Sequence, residues 1–454
     1  MFAAPALAQA ADGSSSRLWS WLLSGCMAGL LLIVALEALY TLRHYVFTFH
    51  RLFARQRPLY AGIEQAHWPH VTVFIAAHNE EAVIAGCIEA LLQVDYPRDR
   101  LVIMPVNDRS SDGTRQIIDR YASAHPGRLH PFHRQDGPPG KAAALADATA
   151  LAQRQGQSEL IIIFDADYLP GKQLIKQLAA PFLDPEIGAV MGRVVPQNAG
   201  VNLLTRLLDL ERAGGYQVDQ QARYNMGAVA QYGGTVGGIR LSALQDVGGW
   251  TPEVLAEDTD LTYRLLLQGW QMAYLGYAEC YEEVPESWAV RFRQIGRWAK
   301  GHNQVLTKLG HRMVTRPGLR WTARIDGIAL LGVFLMSPLL LLGWLLALVL
   351  TTTGYGLSTD VNIALLMLLV TAGFACVGNF AAFFEVAAAV HLDGHRRRLR
   401  LLPLLLTGFV VSMIAVSKAT VDGLVLDRLL RRQFKWDKTV RYRQGALPAL
   451  RPAP

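Results

Sequence analysis

Asp165 and Asp167 close the run LIIIFDAD with one small residue between them. The apolar stretch before them reads as a buried strand, and a carboxylate is costly to bury unless a cation or water compensates it. Carboxylates at a strand end could share a cation; the plainer reading is a loop leading to a capped helix. Lys141 opens a helix after the turn GPPGK, where an ammonium and main-chain N–H groups can both meet an anion. That turn lacks the GxxxxGK[ST] spacing of a P-loop, which argues against a conventional nucleotide-hydrolase site. Glu257, Asp258 and Asp260 fall just ahead of an amphipathic helix in AEDTDLTYRLLLQGW, a position that suits acids on dipole grounds alone. Gln294, Arg297 and Trp298 stand at i, i+3 and i+4 in QIGRW and share one helical face. That face could bind a ligand, lie on a membrane surface with Trp and Arg at the interface, or do both.

Such residues need elements that bring them together. Between about 71 and 285, short β-branched runs alternate with helical stretches, which predicts an α/β domain with a mostly parallel sheet. VTVFIAA, LVIMPVND and LIIIFDAD read as strands, and AVIAGCIEALLQV, RQIIDRYASA, KAAALADATALAQRQ and LIKQLAAPFL as helices. In open sheets of this kind ligands bind outside the carboxyl ends of the strands. Three strands end there in polar residues: HNEE at 78–81, NDRSSDGT at 107–114 and DAD at 165–167. For NDRSSDGT the alternative is a turn capping the next helix through Asp112 or Thr114.

The chain has 454 residues, 51% of them hydrophobic, which is high for a protein without membrane segments. The stretches 18–40, 327–351 and 363–384 are each long and apolar enough to cross a bilayer. APALAQA near the start mimics a signal-peptidase site without a charged or apolar region before it, so 18–40 is expected to be a retained anchor. Arg43, Arg51, Arg55 and Arg57 follow that anchor and only Arg17 precedes it, which places the middle of the chain in the cytoplasm. A fourth stretch, 401–425, is interrupted by Pro403, Gly408, Lys418 and Asp422. One crossing there would export a strongly basic tail, so the stretch is expected to dip in and return. The expected divisions are an anchor at 1–58, a cytoplasmic domain at 59–285, interfacial helices at 286–325, a membrane region at 326–426 and a basic cytoplasmic tail at 427–454. The net charge of +7 resides beside apolar spans, which points to anionic lipid rather than nucleic acid. Cys26, Cys87, Cys280 and Cys376 show no CxxC spacing, so neither a disulfide framework nor a zinc site follows.

Taken in order, AAHNEE, NDRSSDGT, GK, DAD, GGTVGGIR, AEDTDL and QIGRW, flanked by membrane helices, resemble the membrane-embedded processive family 2 glycosyltransferases. These include cellulose, hyaluronan, curdlan and poly-N-acetylglucosamine synthases, and the resemblance covers about 60–440. It implies a GT-A-type nucleotide-sugar-binding domain in a bacterial-type inner membrane. The same resemblance implies a UDP-sugar donor, a growing polysaccharide as acceptor, room for accessory subunits and a Mg2+ or Mn2+ cofactor. It also implies roles: Asp108 reads the uracil with Ala77 and Glu80 in the adjoining wall, and Lys141 contacts the nucleotide. Asp165 and Asp167 form the DxD pair with Asp167 on the metal, and Gly234 and Thr235 belong to the acceptor-lining loop. Asp258, next to Glu257, is the base, and Gln294, Arg297 and Trp298 hold the diphosphate and the acceptor sugar. Two departures stand out: Ala256 replaces the usual Thr before the acids, and NDRSS replaces a DDGS-like form.

The expected reaction is inverting polymerisation into a β-linked polysaccharide, threaded outward along a path lined by 327–351 and 363–384, with Asn379 a polar contact. The alternative is transfer of one sugar to a membrane lipid such as ceramide or polyprenyl phosphate. A sensor or transporter that only binds nucleotide-sugars would have no use for Asp258 at an acceptor site.

Overall fold

A computed structural model of the chain describes residues 4–426 apart from 58–59, 61, 64–66, 157, 356–357 and 377–381. Asn379 and the tail 427–454 lie outside the described residues. The strands are β1 (Val71–Ala77), β2 (Leu101–Asp108), β3 (Phe132–Arg134), β4 (Leu160–Asp165), β5 (Leu169–Pro170), β6 (Ile187–Pro196), β7 (Gly237–Arg240) and β8 (Gln271–Glu282). They form one sheet in the order β3-β2-β1-β4-β7-β6-β8-β5. β1 runs parallel to β2 and β4, β2 to β3, and β6 to β8; β7 and β5 are antiparallel to their neighbours. This is the expected GT-A-like α/β domain.

Alternation along the strands divides their side chains between two cores. Val73, Ile75, Ile103, Ile162 and Phe164 face helices Ile84–Leu92, Thr114–Ala124 and Leu174–Ala179. Phe74, Met104, Val106, Ile161 and Ile163 face Lys141–Gln155, Leu241–Asp246 and Glu257–Gln268. Each fully buried aliphatic or aromatic side chain contributes about 1.5–3 kcal/mol. The register pairs Ala77 with Asn107 and Ala76 with Asp165, so the three polar strand ends emerge at one edge.

The membrane part begins with a helix over Ala4–Phe53, longer at both ends than the apolar stretch within it. Trp321–Thr353 and Thr359–Cys376 pack on it through Leu30, Ile33, Leu340, Ala347 and Leu369. Arg17–Phe53, Trp321–Thr353 and Arg396–Leu424 are long and apolar enough to cross a membrane. Of the expected span 363–384, the described helix covers Thr359–Cys376, residues 377–381 lie outside the described residues, and the helix Phe383–Leu392 packs on Leu210, Ala213 and Val218 of the sheet domain.

The expected hairpin at 401–425 is not formed. A 3-10 segment, Arg396–Leu404, leads into one uninterrupted helix, Leu405–Val421. Lys418 and Asp422, the two charges in the stretch, pair at 2.7 Å one turn apart. Both ends of the helix nevertheless touch the sheet-domain side. Leu405 packs by Leu210, and near the other end Thr420 accepts a hydrogen bond from Asn303 at 3.1 Å. The exposed Leu406, Val410 and Ile414 recur every fourth residue, an apolar stripe opposite those contacts.

Asp326 joins the helices to the domain. One of its carboxylate oxygens accepts from Arg43 Nη2 at 2.6 Å and Nε at 2.9 Å, and the other accepts from the Val229 N–H at 3.0 Å. Asp326→Ala would strand a nearly buried guanidinium and a buried amide. The expected cost is about 3–5 kcal/mol, read as a lower Tm of the purified protein in bilayer nanodiscs.

Candidate active site

The strand ends are laced to one another. His78 Nδ1 donates to the Asp108 carbonyl at 2.6 Å, and Asn79, at φ +56°, donates its N–H to Ser110 Oγ at 2.8 Å. The Glu80 N–H donates to Thr114 Oγ1 at 2.8 Å, and Glu81 accepts from the Gly113 N–H at 2.6 Å. Asp112 accepts from the Thr114 N–H at 3.0 Å just ahead of the helix, whose N-cap is Gly113 and not Asp112 or Thr114, while Asp108 faces inward. HNEE and NDRSSDGT thus form a single rim.

Beneath that rim lies a cavity of about 1290 Å³. Ala77, Glu80, Asp108, Lys141, Asp165, Asp167, Thr235, Glu257, Asp258, Gln294, Arg297 and Trp298 all line it. Gly234 does not, yet it is held against the site. At φ +72°, its carbonyl accepts from Lys141 Nζ at 2.9 Å and its Cα backs onto Asp258. Lys141 Nζ also meets Asp165 Oδ1 at 2.6 Å. Burial alone would lower the Lys141 pKa, but Asp165, Glu257 and Asp258 together raise it. Asp167 is 1% exposed and accepts from the Glu283 N–H at 3.3 Å.

Asp108 is heavily engaged. Oδ1 accepts from Arg134 at 2.9 Å and Arg109 at 3.0 Å, and Oδ2 accepts from the Gly140 N–H at 3.2 Å and Arg109 at 3.4 Å. Burial would raise its pKa, but these hydrogen bonds prevail and hold it below the usual range. Its carboxylate therefore fixes the GPPGK turn and has little acceptor capacity left for a base. Arg109 adopts φ +53°, a rare conformation for a residue with a side chain, held by these bonds and one to the Gly137 carbonyl.

The opposite wall comes from helix Glu257–Gln268 and the long helix Trp288–Thr315. They meet where Gly301 faces Ala256: a Cβ on Gly301 would lie 2.7 Å from that of Ala256. The departure from the usual Thr at 256 thus falls at just this contact. Glu257 is pushed up to about 7, first by burial and then by the adjacent Asp258. Arg297 acts on Glu257 in the opposite sense, its positive charge drawing that carboxyl down. The Trp298 ring has the guanidiniums of Arg212 and Arg291 within 5.5 and 5.2 Å of its centre.

Several lining residues are not singled out by the sequence. Arg212 meets Glu282 at 2.6 Å, and Glu282 also accepts from Tyr168 at 2.9 Å. A π-helical turn, Gly214–Gln220, contributes Tyr216, Asp219 and Gln220, and Gln220 bonds the main chain of Gln231 through both its amide atoms. His302 completes the face of Gln294 and Trp298 at i+8 and i+4, a spacing legible in the sequence. Among the described residues, His44, Asp219 and Glu385 form a three-residue donor cluster within ion-sharing distance, away from Asp165 and Asp167. His44 already bonds Glu385 and Asp219 bonds Arg223, so their charges have partners.

Residues 69–301 match the family described as glycosyltransferase like family 2. A probable glycosyltransferase, YdaM of Bacillus subtilis, is 34% identical over 268 residues, 59% of this chain and 61% of that protein. A beta-monoglucosyldiacylglycerol synthase of Synechocystis sp. is 33% identical over 260 residues, 57% of this chain and 53% of that one. Glucomannan 4-beta-mannosyltransferase 7 of Arabidopsis thaliana is 29% identical over 256 residues, 55% and 45% of the two chains. The chain thus spans about half the length of the curated relatives it matches. Among solved structures, the mannosyltransferase PcManGT from Pyrobaculum calidifontis, in complex with GDP-Man and Mn2+, superposes with a TM-score of 0.55 at 21% identity. That likeness covers 88% of this chain and 99% of the other and establishes the fold.

The Gly301 contact can be tested directly. Gly301→Val would force apart the two helices of the acidic wall and cost about 1–3 kcal/mol by overpacking. Gly296→Ala on the same helix, whose new Cβ would meet nothing nearer than 3.7 Å, is the control. Thermal unfolding should separate the two variants.

Proposed function

The chain belongs to the family 2 glycosyltransferases, and on that premise we propose that it transfers a single hexose from a nucleoside diphosphate donor to a hydroxyl group of a membrane lipid, inverting the anomeric carbon. The observation that carries the lipid acceptor is the composition of the cavity wall. Among the described residues, none from Ala4–Phe53, Trp321–Thr353, Thr359–Cys376 or Leu405–Val421 lines it. Those helices instead meet one another largely through apolar side chains, with Glu37, Ser337 and Ser412 buried among them, and contribute no group to the cavity wall. This favours an acceptor arriving at the membrane surface over a polymer leaving through the helices. A lipid glucosyltransferase among the relatives supports the same reading. A glucomannan mannosyltransferase among them keeps polymerisation as the second reading.

In this reading Asp258 takes the proton of the acceptor hydroxyl as that oxygen attacks the anomeric carbon and the bond to the diphosphate breaks. One in-line displacement turns an α-linked donor into a β-linked product. Arg297 supplies positive charge to the leaving diphosphate. Asp165 and Asp167 are hard oxygen donors at one strand end, and the Lys141 ammonium lodged between Asp165 and the Gly234 carbonyl fits a site that favours a cation. They suit Mg2+ or Mn2+, which when bound would screen the negative charge gathering on the diphosphate. Asp108 acts by fixing the turn beside the nucleotide, so the choice between uridine and guanosine donors falls to its neighbours.

The deciding experiment reconstitutes the full chain in lipid vesicles with UDP-glucose, UDP-N-acetylglucosamine or GDP-mannose and Mg2+ or Mn2+. The expected product is a solvent-extractable lipid heavier by one hexose; a solvent-insoluble polymer overturns the lipid acceptor. Asp258→Asn should lower kcat by about 100- to 10,000-fold with donor binding retained. Arg297→Ala should lower it by roughly 100- to 1,000-fold. Chelation with EDTA should abolish transfer, and added Mg2+ or Mn2+ should restore it.

A further inference from the structure

His302 lies in the cavity wall beside Asp258 and has no part in the chemistry above. Its Nδ1 is 3.2 Å from the Trp298 carbonyl, and a carbonyl only accepts, so this nitrogen carries the hydrogen. In the neutral ring Nε2 is then left with its lone pair. That atom is 3.4 Å from Thr259 Oγ1 and 3.4 Å from the Gln231 amide nitrogen. Thr259 Oγ1 in turn stands 3.3 Å from Asp258 Oδ1 and accepts from the Gln231 amide at 2.8 Å. On the membrane side the edge of Phe334, 4.9 Å between ring centres, closes off the space behind the imidazole. The ring is thus held in one tautomer, with Nε2 an acceptor that faces both the Gln231 amide and the hydroxyl that touches the base.

We propose that His302 is the second proton acceptor of the transfer, receiving through Thr259 the proton that Asp258 removes. The proposal rests on the glycosyl-transfer reading. The acceptor oxygen forms its bond to the anomeric carbon, the carbon–oxygen bond to the diphosphate breaks with its electron pair leaving on the diphosphate, and the hydroxyl proton passes to Asp258. Asp258 hands it to Thr259 Oγ1, which releases its own hydrogen to His302 Nε2, and the imidazolium returns a proton to water when product leaves. Asp258 and Thr259 face the ring from one helix, Gln231 from the loop, Phe334 from the membrane helix, and Arg297 and Trp298 share its own helix. Burial, with Arg223 adding to it, holds the imidazole below its ordinary pKa against the pull of Asp258.

The experiment compares wild type, His302→Ala and His302→Gln as full-length protein in vesicles. Gln at this position offers an oxygen to Thr259 but does not take up a proton. Both variants should lose roughly tenfold to a hundredfold in kcat with donor KM little changed. Added imidazole should restore turnover to His302→Ala, which has space for it, and not to His302→Gln. Wild-type kcat in His302→Gln overturns the proposal even if His302→Ala fails to fold, because hydrogen bonding alone then suffices. A folded His302→Ala that imidazole does not rescue also overturns it. Absence of sugar transfer by the wild type would instead overturn the glycosyl-transfer reading and this proposal with it.

Discussion

The ammonium of Lys141 holds the site together. Acids from β4 and from the first turn of helix Glu257–Gln268 converge on a cavity where their charges would repel and burial would penalise each of them. One cation on the strand side lowers both costs. By taking the Gly234 carbonyl as a further ligand, it also draws the glycine-rich loop against Asp258. The two walls of the cavity are therefore joined by one side chain, whose position follows from a turn that Asp108 fixes in its own right. The strand-end acid, the lysine and the acidic turn of the helix behave as one electrostatic unit.

Much of this was legible in the sequence, for reasons that are local. β1, β2 and β4 are apolar runs rich in β-branched residues, and each ends in or just before polar residues, so their shared edge could be read directly. The other half of the sheet was not legible. β6 and β7 are rich in glycine because strands approach closely there: a Cβ on Gly192 would lie 2.6 Å from the Ala278 carbonyl oxygen. In sequence, the glycine that permits such packing looks the same as one that makes a turn. Long-range partners were equally hidden. Nothing near Asp108 announces that Arg134, on a neighbouring strand, takes up one of its oxygens.

The membrane region shows the same division. Apolar length identified the helices, but not how they end. Taken one at a time, Lys418 and Asp422 look like interruptions, whereas at helical spacing they neutralise each other. A stretch that looked broken is continuous, and both its ends still contact the sheet-domain side. A path between the remaining helices was an extrapolation from their number; among the described residues none of those helices contributes to the cavity wall.

Asp326 ties the long apolar helices to the wall of the cavity. Its carboxylate grips Arg43 on one side and the main chain of Val229 on the other, and Val229 lies two residues from Gln231, which hydrogen-bonds Thr259 beside the acidic pair. The membrane portion is therefore not a detachable tether. Cutting the sheet domain free, or grafting it onto another protein's anchor, would remove a structural support of the reaction chamber as well as its address.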